Sequence, residues 1–140
     1  MALVGPSLAA AAERVYWANT ATNQISYASV DGSGAADVNV SGATVDKPAG
    51  VATDPIAGRV YWTNSGGNAI GFARLDGSDG GVPNTTGVTI DDPVGVSIDP
   101  VTGVVYLDRS RRPEPAVLRP GWTAPAAARS RCRTRPWRAE

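Results

Sequence analysis

From residue 14 to residue 108, apolar residues recur at alternate positions in short runs, and no run keeps helical spacing. The pattern predicts strands. Residues 50–53 place Val51 and Thr53 on one face, and residues 95–98 place Val96 and Ile98 likewise. Asp54-Pro55-Ile56-Ala57-Gly58 follows as a tight turn, because proline presets φ at the second turn position and glycine accepts a positive φ at the exit. A second strand is predicted over 59–63. Val60 and Trp62 share one of its faces and Tyr61 takes the other, so both faces are apolar and the strand should lie between neighbours. Residues 64–68 carry turn chemistry, residues 69–75 form a third strand with Ile70 and Phe72 on one side, and Asp76-Gly77 closes it. A fourth, weaker strand is expected within 82–90, before Asp91-Asp92-Pro93 leads onward.

These features recur at a step of 45 residues. Arg14-Val15-Tyr16-Trp17 returns as Arg59-Val60-Tyr61-Trp62, and Val105-Tyr106 continues the series. Residues 14–58 laid on 59–103 without a gap give 21 identities in 45 positions, where composition alone would give about 3 or 4. Asn19 and Asn64, Asn23 and Asn68, the two Asp-Gly-Ser turns at 31–33 and 76–78, Pro48 and Pro93, and Gly50 and Gly95 all coincide. Gly5 falls on Gly50 at the same step, so residues 4–8 are expected to be a strand of a worn first copy. Four antiparallel strands in a 45-residue unit predict a β-propeller blade. The expected fold is all-β: about two four-stranded antiparallel blades of 45 residues plus a partial third, over residues 1–108. Because a propeller takes roughly 4 to 8 blades, the ring would be incomplete. Identical chains could close it, three copies of two blades being the simplest geometry, or the chain is a fragment of a longer protein.

The segments Asp54-Pro55 and Gly58-Arg59-Val60-Tyr61-Trp62-Thr63-Asn64, with Ile70, Asp76-Gly77 and the counterparts 45 residues earlier, resemble the YWTD repeats, also called low-density lipoprotein receptor class B repeats. That resemblance covers roughly residues 3–108. It implies a blade of a six-bladed closed propeller, and an extracellular or periplasmic location. The final Asp of the motif is Asn19 and Asn64 here, and the third copy departs further, reading Tyr106-Leu107-Asp108.

Charge divides the chain where the repeat stops. The whole carries 13 basic and 13 acidic residues, yet residues 1–108 hold 11 acids against Arg14, Lys47, Arg59 and Arg74, whereas residues 109–140 hold nine Arg and two Glu. The second segment, rich in Arg, Pro and Ala, reads as disordered chain or as out-of-frame translation of GC-rich DNA. A basic arm that binds nucleic acid through Trp122 or Trp137 is the weaker reading, since arginine excess without a folded partner module carries little information. No segment approaches the roughly 20 apolar residues that span a bilayer. Residues 1–12 have no Lys or Arg ahead of their apolar run, which Gly5-Pro6 interrupts, so they do not read as a secretory leader.

The chain has no His and one Cys, Cys132. Imidazole catalysis, an internal disulfide and thiolate metal clusters are therefore excluded for the chain by itself. Gly32-Ser33-Gly34 and Gly77-Ser78-Asp79-Gly80-Gly81 lack the Lys and following helix of a phosphate cradle, and Asp76, Asp79, Asp91 and Asp92 fit no calcium-loop spacing. No cofactor is expected. The function that remains is a non-catalytic propeller module binding a protein or small ligand at its loop face, with Asp46, Lys47, Asp91 and Asp92 as candidate binding residues. The alternative is a metal-dependent lactonase similar to the gluconolactonase propellers, which would need convergent acids from several blades; residues 1–108 hold one Glu, Glu13.

Overall fold

The structure, a computed structural model, describes residues 13–110 and the backbone of residues 112–118. The expectations for residues 4–8 and for the segment from 119 onward lie outside the described residues. Ten strands lie among the described residues: β1 (Arg14–Asn19), β2 (Gln24–Ser29), β3 (Ala36–Asp37), β4 (Pro48–Asp54), β5 (Arg59–Asn64), β6 (Ala69–Arg74), β7 (Gly80–Gly81), β8 (Pro93–Asp99), β9 (Val104–Arg109) and β10 (Arg112–Leu118). They form three antiparallel meanders, β1-β2-β3, β4-β5-β6-β7 and β8-β9-β10. Each sheet is one repeat, and the array is open.

The three sheets pack face to face, and the two layers between them are equivalent by the 45-residue step. The first layer holds Val60, Trp62 and Ala73 of the middle sheet against Ile25, Tyr16 and Ala18 of the first. In the second, Val105 and Leu107 of the last sheet meet Tyr61, Ile70 and Phe72 of the middle one. Each sheet thus offers a Val/Trp-type face to its predecessor and a Tyr/Ile-type face to its successor. This is why β5 is apolar on both sides, with all of Val60 to Asn64 buried.

Two glycines set how closely these layers approach. A Cβ on Gly71 would lie 2.3 Å from Trp62 Cε2, so the indole rests flat on that backbone. A Cβ on Gly50 would lie 2.8 Å from the Val94 carbonyl oxygen and 2.9 Å from the Val96 nitrogen. The first strands of the middle and last sheets, β4 and β8, therefore converge nearly backbone to backbone, which makes the layer between those two sheets narrow at that edge. Thr63 ties the convergence: its Oγ1 accepts from the Gly50 N–H at 2.8 Å and donates to the Val94 carbonyl at 3.5 Å.

The fourth strand differs from expectation. It is two residues long, β7, and precedes the predicted segment 82–90. Pro83 has no N–H to give to a ladder, and the chain leaves the sheet edge there. Val82 is exposed, while Val88 and Ile90 fill the layer between sheets as a connector; Val38, Val40, Ala43 and Val45 do the same one repeat earlier. β9 extends to Arg109, and β10 pairs with it on the same sheet. The register shifts between Arg112 and Ala116, the stretch in which Pro113 and Pro115 cannot donate.

Candidate binding surface

One end of the array is built from the β1–β2 turn, the β5–β6 turn and the two loops that lead into β4 and β8. The four candidate residues fall in those lead-in loops, Asp46 and Lys47 in one, Asp91 and Asp92 at the equivalent positions of the other. Lys47 and Asp92 have φ of 47° and 45°, in the left-handed region, where a residue with a Cβ is costly to hold. A side chain from the preceding repeat holds each. Asn23 Oδ1 accepts from the Lys47 N–H at 2.8 Å, and Asn68 Oδ1 accepts from the Asp92 N–H at 2.8 Å. Asn23 and Asn68 themselves have φ of 55° and 48°, a conformation asparagine tolerates better than most residues.

A second anchor sits beneath the first loop. Asn64, 2% exposed, accepts from the Asp46 N–H at 3.0 Å and donates through Nδ2 to the Thr44 carbonyl at 2.8 Å. Trp62 Nε1 reaches the same carbonyl at 3.1 Å. Ser65 donates to the Lys47 carbonyl at 2.8 Å, and Ser110, its counterpart, bonds the Asp92 carbonyl and carboxylate. The Asp46 carboxylate lies over Gly66, where a Cβ would come within 2.5 Å of it. With the backbone fixed this way, Lys47 and Asp91 are exposed and Asp46 and Asp92 half-buried.

The structure thus brings the four candidates to one end, two per loop. Asn23, Asn64, Asn68 and Ser65, which position them, were recognisable only as repeated turn residues; their pairing at the 45-residue step was the available signal. At the other end, acidic residues close turns. Asp54, 3% exposed, accepts from the N–H groups of Ile56 and Ala57. Asp31 and Asp76 accept from the backbone and hydroxyl of Ser33 and Ser78 at 2.6–2.9 Å, and those bonds, the hydroxyl ones first, hold both carboxyls below the usual aspartate range. Asp99 is lowered in the same direction, first by the Thr102 hydroxyl. Among the described residues no three His, Cys, Asp or Glu side chains gather as a metal site, and no helix is long and apolar enough to cross a membrane.

No protein-family model matches the chain, and no curated protein does. The search of solved structures does return matches. One is a chain from the crystal structure of a nidogen/laminin complex, 28% identical over 76% of this chain, with a TM-score of 0.62. This chain spans 39% of the length of that one. The matched chain is a β-propeller. The three antiparallel sheets, packed in succession and not closed, are accordingly partial blades of a β-propeller.

Proposed function

We propose that this chain is a non-catalytic propeller module that binds a protein partner at the end carrying Asp46, Lys47, Asp91 and Asp92. The observation that carries the reading is the pinning of both lead-in loops by asparagines of the preceding repeat, which fixes the backbone that presents Lys47 and Asp91 to solvent. Rigid presentation lowers the ordering cost of association, and charges of both signs favour a partner of mixed polarity over a purely acidic or basic one. The likeness to a chain solved in a nidogen/laminin complex supports a protein as the ligand. The Tyr-Trp motifs support membership of the YWTD repeats and, with it, a location outside the cytoplasm. Val15 and Trp17 on the first sheet and Tyr106 on the last lie exposed on faces that are covered elsewhere in the array, which supports completion of the ring by further blades, from a longer protein of which this chain is a fragment or from additional copies of the chain.

Laminin immobilised on a sensor surface is the probe. Saturable binding of the full chain is expected, weakened at least tenfold, about 1.4 kcal/mol, in the double variant Lys47→Glu/Asp91→Lys. Absence of binding, or equal affinity of the variant, overturns the proposal. Both side chains are exposed, so the variant retains the fold.

A further inference from the structure

All six asparagines of the chain occur as three pairs at the 45-residue step: 19 and 64, 23 and 68, 39 and 84. The first two pairs have inward duties. Asn64 is buried against Thr44 and Asp46, Asn23 and Asn68 hold the lead-in loops, and Asn19 donates to Ser26 Oγ at 2.7 Å. The third pair is different. Asn39-Val40-Ser41 and Asn84-Thr85-Thr86 both read Asn-X-Ser/Thr with X other than proline, the acceptor pattern for N-linked oligosaccharide. Between the two copies the middle residue changed and serine became threonine, yet the asparagine and the hydroxyl two positions on are present in both.

The geometry suits that pattern. Asn39, Ser41, Asn84 and Thr86 are all exposed. Each asparagine forms a turn with the residue two positions on: Asn84 Oδ1 accepts from the Thr86 N–H at 3.0 Å, and Asn39 Oδ1 from the Ser41 N–H at 3.1 Å and hydroxyl at 2.8 Å. Both follow the last strand of their sheet, β3 or β7, on the outer rim. Val40 and Val88 of these connectors pack into the layers, while Asn39 and Asn84 themselves remain exposed to solvent. Asn39 Nδ2 donates to the Gly77 carbonyl at 2.9 Å, whereas Asn84 Nδ2 makes no hydrogen bond among the described residues.

We infer that Asn84 and Asn39 are acceptor sites for N-linked oligosaccharide, Asn84 the more fully occupied. The co-substrate is an oligosaccharide carried as a lipid-linked glycosyl diphosphate. The bond from sugar C1 to the diphosphate oxygen breaks, a C1–Nδ2 bond forms, and the amide proton leaves as the diphosphate departs with the electron pair. Bulk on the rim would also shield the short outer strand edges from pairing with other chains.

The test is translation of the full chain, behind a cleavable leader, into microsomes that hold this donor, read on the protease-protected product. Two mass increments removable by peptide N-glycosidase are expected. Asn84→Gln and Thr86→Ala should each lose one increment, Thr86→Ser should keep it, and Asn39→Gln should lose the other, with Asn84 at higher occupancy in the parent. Deglycosylation in 18O-water should convert Asn84 to labelled aspartate. A product at the bare peptide mass, an increment indifferent to the Thr86 hydroxyl, or higher occupancy at Asn39 overturns the inference.

Discussion

Asn64 does two things at once, closing the Asp46 N–H and the Thr44 carbonyl with one buried carboxamide. Asn64→Ala leaves that part-buried N–H without its partner, and a loss of about 1–2 kcal/mol is expected from the urea midpoint. The Thr44 carbonyl keeps its bond from the Trp62 indole, which limits the loss. Gly71 is the opposite case, important for what it lacks. A methyl group at 2.3 Å from the Trp62 ring forces the indole or its strand to move, so Gly71→Ala should cost about 3 kcal/mol, read by the same measurement. Acid should weaken the turns that Asp31, Asp76 and Asp99 close. Their carboxyls titrate below the unfolded aspartate value of about 3.9, so their contribution is complete above that value and is lost as pH falls through the lowered one. In Ser78→Ala, which removes the largest cause at Asp76, the Asp76 titration followed by carboxyl NMR should move up toward the ordinary range.

At the level of strands and sheets, the narrow edge between the middle and last sheets depends on β4 and β8 meeting at Gly50. The atoms that a Cβ would strike there are backbone, which cannot swing aside as a side chain can. Gly50→Ala should therefore splay the two sheets and destabilise by roughly 2 kcal/mol or more, with amide exchange rising in β4 and β8 before the β5–β6 pair. The central strands were legible in the sequence because burial on both faces writes itself into Val60, Tyr61 and Trp62, and because a second copy repeats the pattern. The outer strands were not. A two-residue strand of Gly80 and Gly81 carries no alternation, and Val88 and Ile90 imitate a strand face while packing as a connector. β10 was hidden for a related reason: its pairing is a matter of backbone, and Arg112-Pro113-Glu114-Pro115 gives no apolar period to read. For the binding end, the charged residues could be named from their turns, but the asparagines that set their geometry act across repeats, 24 positions away, where local pattern does not reach.

Across the whole molecule, the same aromatic position takes two fates. Trp62 is fully buried between sheets, while Trp17, its counterpart, is 38% exposed on the open face of the first sheet. At concentrations where the chain is monomeric, iodide should quench the emission that Trp17→Phe removes, and leave the emission removed by Trp62→Phe untouched. Equal quenching of the two would mean that the first face is covered in solution. The asymmetry has a genetic counterpart. Because the two faces of a sheet are unlike and each joint repeats the one before, an unequal exchange that adds or deletes a block of 45 codons creates no new kind of contact. The reading frame and every remaining joint survive such an event. Blade number in a lineage of this kind can then change by crossing-over alone, with selection left to act on the loops and on the outer rim.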